Sequence, residues 1–290
     1  MEMEWATLFL MAFGGGAFGA LFGGTTIFII MGFFILAGSG IALAGGGDAF
    51  LLNVAFGTTF APHISFVGGV VAAAFYGRHR TVLSHEEEFV ESTGAFSGAD
   101  TITPLFKMKD ISTLFVGGIF GMVGLALVTL FTNLHLPLDP SALTVATTGI
   151  IARLVFGKAG LLGKYPTEEK RYDLSPKHLA FTTFWGAVLA IVSYQVATVT
   201  QIDVVMFGFS ALSLIVLYFG LEIPVTHHIT LISGLAALTF QNIWLTILFG
   251  ILATFLGNFY QRTFNTHVDS HLDNAALTIA TCSLIIGLIA

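Results

Sequence analysis

The octapeptide Thr266–Asp273, THVDSHLD, carries the sharpest local pattern of metal-binding side chains in the chain. His267, Asp269, His271 and Asp273 alternate along it. Imidazole and carboxylate together suit a divalent cation such as zinc or manganese. A spacing of two places all four on one face only in an extended segment. In a helix they scatter around the axis. His267, Asp269 and His271 are therefore candidate metal ligands in an extended segment, with a hydrated turn as the alternative. The first half of the chain has Asn133, His135, Pro137 and Asp139 at the matching positions, so the cluster is not common to both halves.

A second set of chemical groups lies inside or at the edges of long apolar runs. Ionisable side chains at such positions are costly and usually face a cavity or pathway. Asp48 follows Gly45-Gly46-Gly47, a stretch able to break a helix and free carbonyls to coordinate a solute; its alternative role is a helix cap. His63 and His228 head matching apolar segments, where they either line one pathway or cap their own helices. His227 points to a different face from His228. Glu222, in GLEIPVTHH, marks a helix break with Pro224, while Asp203 starts a helix. Asp139 in LDPSA reads as an N-cap followed by proline at the first helical position, and Asp273 matches it. Lining a vestibule is the other role for both. The pathway candidates are Asp48, His63, Glu222, His227, His228, Asp139 and Asp273.

These groups must be positioned by a duplicated scaffold. Leu138–Thr148, LDPSALTVATT, and Leu272–Cys282, LDNAALTIATC, share seven of eleven residues at an offset of 134. Pro62–Phe75 and His227–Phe240 match at an offset of 165. The offsets differ by 31 (165 − 134), which places a polar insertion near residues 77–109 of the first copy. One unit is used twice.

Apolar residues make up 55% of the chain and charged residues 10%, with a mean hydropathy of +0.88. A soluble domain of this length needs far more charged surface, so the composition is that of a polytopic membrane protein. The apolar runs do not alternate as barrel strands do, which leaves an all-α fold. Ten transmembrane helices are expected near 6–26, 27–47, 61–77, 111–131, 141–157, 179–198, 203–220, 226–241, 243–260 and 273–290. Residues 48–60 form a re-entrant piece or extend the second span. The first repeat covers 1–157, a linker covers 158–178, and the second repeat covers 179–290.

All eleven Lys and Arg fall in the insertion, the end of the fifth span with the linker, and the loop after the ninth. With five spans per copy these lie on one side, the cytoplasmic one, and both termini lie outside the cell or inner membrane. An odd span count makes the second copy insert upside down. The acidic start MEMEWATLFLMAF does not predict a cleavable signal peptide. The single cysteine excludes an internal disulfide.

Two inverted five-helix copies, a short polar-flanked segment before the third span and 29 phenylalanines resemble the urea-transporter class of channels. The resemblance is architectural and spans most of the chain. It implies a pore between the copies, paired half-helices presenting oxygen ligands, and a homotrimer. The drug/metabolite exporters share the five-plus-five plan.

The expected function is a channel or secondary transporter for a small polar solute, with the pathway between the copies. A divalent metal-ion transporter using the 267–273 cluster is the alternative, and a membrane-embedded metal-dependent enzyme the third. Neither a phosphate-binding loop nor a nucleophile elbow is encoded, so neither ATP-driven pumping nor enzymatic activity is expected. No cofactor is expected beyond a divalent cation in the alternative case. The expected partners are lipid, the solute or ion, and further copies of the chain in a dimer or trimer; nucleic acid is not among them.

Overall fold

The computed structural model describes residues 4–83 and 96–290, and among these the regular structure is helical throughout. Helix α1 runs Trp5–Phe22 and α2 runs Gly24–Ile41, followed by a π-helical turn over Ala42–Gly46. A single residue, Gly23, separates them at φ 86, in the left-handed region that favours glycine. A Cβ there would also lie 2.9 Å from the Ile102 carbonyl oxygen. Gly45 and Gly47 take φ 85 and 75, so the triple glycine breaks the helix as its composition suggests. Short turns over Leu51–Ala55 and Pro62–Phe66 lead into α3, Val67–Leu83.

The first half continues through α4, Ile111–Asn133, and α5, Pro140–Phe156. The second half contains α6 (Pro176–Thr200), α7 (Val205–Ser213, extended by a 3-10 turn to Phe219), α8 (His227–Phe240), α9 (Ile243–Phe264) and α10 (Asn274–Ile289). Five of these are long and apolar enough to cross a bilayer: α1, α2 with its π turn, α4, α6 and α9. Their length and apolarity are those of a membrane protein. The 14 residues of α8 and 16 of α10 give roughly 21 and 24 Å at 1.5 Å per residue, short of the ~30 Å hydrocarbon core.

Neighbour relations repeat between the halves. In the first, α1 packs on α3 and α4, α3 packs on α4 and α5, and α4 packs on α5. In the second, α6 packs on α8 and α9, α8 packs on α9 and α10, and α9 packs on α10. The halves meet where α2 crosses α7 and α5 crosses α10. One continuous core draws on both, including Ile27 and Ile35 of α2, Val145 of α5, Phe207 of α7, Ile232 of α8 and Ile279 of α10.

Small residues set how closely the long helices approach. A Cβ on Gly16 would collide with the Gly117 carbonyl, and one on Gly68 would collide with Gly16, so α1, α3 and α4 touch backbone to backbone. The second half builds the same crossing from Gly186, Ser233 and Gly250. Backbone cannot rotate aside as a side chain can. Gly16→Val is therefore expected to destabilise by about 3 kcal/mol or more. Gly14→Val, where a Cβ meets nothing within 4 Å, should change stability by only tenths. Thermal unfolding in detergent that ranks the two variants equally would refute the close crossing.

The insertion reads as a solvated loop in sequence, yet its described part is packed. Leu105 is 2% exposed, among Ala20, Ala72, Ala73 and Tyr76. Asp100 holds the turn by accepting from the amides of Ile102 and Thr103. The Thr101 carbonyl then accepts from the Thr25 amide at 2.8 Å, satisfying one of the free donors at the start of α2. Residues 84–95 lie outside the described part.

Candidate functional site

Asp139 and Asp273 cap α5 and α10 in the same way. Asp139 Oδ1 accepts from the Ala142 amide at 2.7 Å, and Asp273 Oδ1 accepts from the Ala276 amide at 2.6 Å. Each cap also lies against the middle of the other helix. The Asp139 amide donates to Ser283 Oγ at 2.9 Å, and Gly149 faces Leu272 and the Asp273 amide. Ser283 and Gly149 are themselves repeat partners (283 − 149 = 134). The N-terminal halves of α5 and α10 therefore run antiparallel over about ten residues, roughly 15 Å. Both helix N-termini end inside the bundle.

Beside this crossing lies a cavity of about 420 Å³, lined by both halves. Several lining residues are repeat partners: Asp139 with Asp273, Ala142 with Ala276, Val145 with Ile279, and Phe66 with Leu231. Asp203, between α6 and α7, also reaches it, as do His227 and His271. Its volume is that of a small-molecule site, with apolar and aromatic walls and a few polar groups.

His227 is 8% exposed, and its Nδ1 has no hydrogen-bond partner among the described residues. The ring packs against Phe28 at 4.7 Å and Phe207 at 5.9 Å. His271 Nε2 lies 3.6 Å from Asp273 Oδ2.

The other sequence candidates occupy different places. His63 stands one step behind the cavity, with its Nδ1 2.8 Å from the Oγ of the lining residue Ser141. His228 is buried between α8 and α9 against Gly257, where a Cβ would collide with its Nε2. Asp48 and Glu222 are exposed and do not line the cavity.

The alternating metal-ligand pattern is drawn to separate partners. His267 Nε2 lies 2.8 Å from Glu169 Oε2, and Asp269 Oδ2 accepts from the Lys158 amide at 2.6 Å. Of the four, His271 and Asp273 turn to the cavity. Among the described residues, no three His, Cys, Asp or Glu side chains converge on a metal-sized point.

Asp203 is the lining residue that sequence reading assigned to another role. Its signal was present, an ionisable group between two apolar runs, but a helix-start carboxylate and a cavity carboxylate look alike in one sequence. Arg153 is the other omission. It is 1% exposed near the end of α5 and donates from Nε to Ser270 Oγ at 2.6 Å, from one terminal nitrogen to the Ser270 carbonyl at 2.5 Å, and from the other to the Leu161 carbonyl at 2.9 Å.

No curated protein and no solved structure matches the chain. A single family model matches it over two stretches, residues 1–181 and 178–290, which meet where the two halves join. The chain accordingly belongs to DUF7973, a family of unknown function.

Proposed function

We propose that this protein is a membrane transport protein, a channel or secondary transporter, that carries a small polar solute between two inverted five-helix repeats. The observation that carries this reading is the antiparallel crossing of α5 and α10, with both capped N-termini inside the bundle beside a cavity. Helix ends held within a membrane bundle are placed to act on a solute at the bilayer midplane. The matched neighbour relations and the two stretches matched by the family model support a duplicated unit.

Sidedness has support of its own. The basic segments gather at one end of the bundle: Arg78 donates to the Val155 carbonyl, and the Lys158 amide donates to Asp269 in the loop that follows Arg262. With this end cytoplasmic, ten spans of unequal length leave both termini outside. A divalent-cation carrier has less support, because His267 and Asp269 are engaged away from His271.

Proteoliposome uptake tests the reading, using urea, glycerol, methylammonium and acetate. At least one solute is expected to enter well above empty liposomes, and His227→Ala is expected to lower that rate about tenfold or more. Uptake of all four at the empty-liposome rate rejects transport of this kind.

A further inference from the structure

The charges around the cavity define a substrate class, and the inference rests on the transport reading above. Asp139, Asp203 and Asp273 bring three carboxylates to one cavity, and among the described residues no Lys or Arg lines it. Two helix N-termini contribute roughly +0.5 each, so with all three carboxylates ionised and both imidazoles neutral the site carries a net charge of about −2. One protonated imidazole leaves it negative. Such a site repels anions and attracts cations.

His227 supplies an independent indication that the space is built for a guest. Its imidazole lines the cavity, is more than nine-tenths buried, and has a partnerless Nδ1. Buried polar atoms are ordinarily satisfied, and the open space beside this ring is the cavity.

The walls separate an organic cation from a metal ion. Phe28 lies 5.8 Å from Phe66 and 5.7 Å from Phe207, forming a continuous aromatic wall beside the carboxylates. A bare divalent ion needs several convergent donors, and none of the described side chains supply such a set. An ammonium group on an apolar body satisfies both parts, with its charge at the carboxylates and its carbon against the rings. We propose that the cavity binds a small organic ammonium ion, its charge drawn by the field of Asp139, Asp203 and Asp273 and its apolar body lying against Phe28, Phe66 and Phe207.

The test is isothermal titration calorimetry on the full chain in detergent. The probes are phenethylammonium, butylammonium, the neutral phenethyl alcohol, phenylacetate and manganese. Phenethylammonium is expected to bind at least about tenfold more tightly than the alcohol, and phenylacetate and manganese not at all. Asp139→Asn and Asp203→Asn should each weaken the ammonium about tenfold, since asparagine keeps the side-chain shape, and at Asp139 the cap, while removing the charge. Should an Asn variant fail to fold, Asp203→Glu keeps the charge and is expected to bind within about threefold of wild type. Binding of alcohol or phenylacetate as tightly as the ammonium, no binding of either ammonium, or variants that leave affinity unchanged would overturn the proposal. An ammonium that binds in detergent but never crosses liposomes refutes transport and leaves the cation site standing. Uptake of a neutral solute that His227→Ala abolishes, with no ammonium binding, does the reverse.

Discussion

Arg153→Leu is expected to lower the thermal unfolding midpoint in detergent by roughly 10 °C, the equivalent of about 3–5 kcal/mol. The guanidinium is 1% exposed and ties α5 to two separate segments, Leu161 of the linker and Ser270 of the loop before α10. Leucine fills much of the volume but leaves the Leu161 and Ser270 carbonyls without these donors. Leaving a buried acceptor such as the Ser270 carbonyl bare costs about 1–3 kcal/mol. Asp269, which acts on Arg153 electrostatically, loses its counter-charge at the same time. Arg153→Lys should fall between the two, because an ammonium carries the charge but cannot span both carbonyls as the fork does. A leucine variant that melts within about 2 °C of wild type would remove this contact from any account of how the halves are held.

This contact also shows why one sequence displays the scaffold better than its asymmetries. The offset of 134 maps Arg153 onto Gly287, which faces Pro137 in the first half. The duplication is visible because packing keeps small and capping residues in register: Asp139 with Asp273, Gly68 with Ser233, Ser283 with Gly149. Each of the ten expected segments overlaps an α-helix, five of them long and apolar enough to cross a bilayer, since an apolar run bounded by Gly, Pro or Asp has few other ways to satisfy its backbone. Boundaries moved where tertiary contact decided them. The α1–α2 junction falls at Gly23 rather than near residue 26, because the insertion returns and presses on that glycine.

The cavity was only partly legible. Asp139 and Asp273 were visible through their capping pattern. The choice between His227 and His228 depends on which side of α8 faces the other half, and adjacent residues on a helix differ by about 100° in direction. The repeat pairs His63 with His228, yet the imidazole lining the cavity is that of His227, whose repeat partner is Pro62. The THVDSHLD pattern is divided between partners for a related reason. Alternation implies convergence only in an extended strand, and here Glu169 and the Lys158 amide, both from the linker, engage His267 and Asp269. Partners that distant along the chain cannot be read from local spacing.

The second large effect concerns the cavity as a route. Ala142 and Ala276 line it from opposite halves and are repeat partners. A cysteine at either position, in a Cys282→Ser background, is expected to leave uptake largely intact until a thiol reagent is added. Modification by a quaternary-ammonium methanethiosulfonate should then lower uptake to the empty-liposome rate, about a hundredfold, because the adduct occupies much of the 420 Å³ space. Wild type should resist the reagent, since its one cysteine is fully buried. Reaction rates probe the field separately. The cationic reagent should react about tenfold faster than its sulfonate counterpart, relative to their rates with a free thiol, because the carboxylates concentrate cations and exclude anions. Labelled protein that still transports would place the route elsewhere. A faster sulfonate reagent would reverse the sign of the site while leaving its position intact.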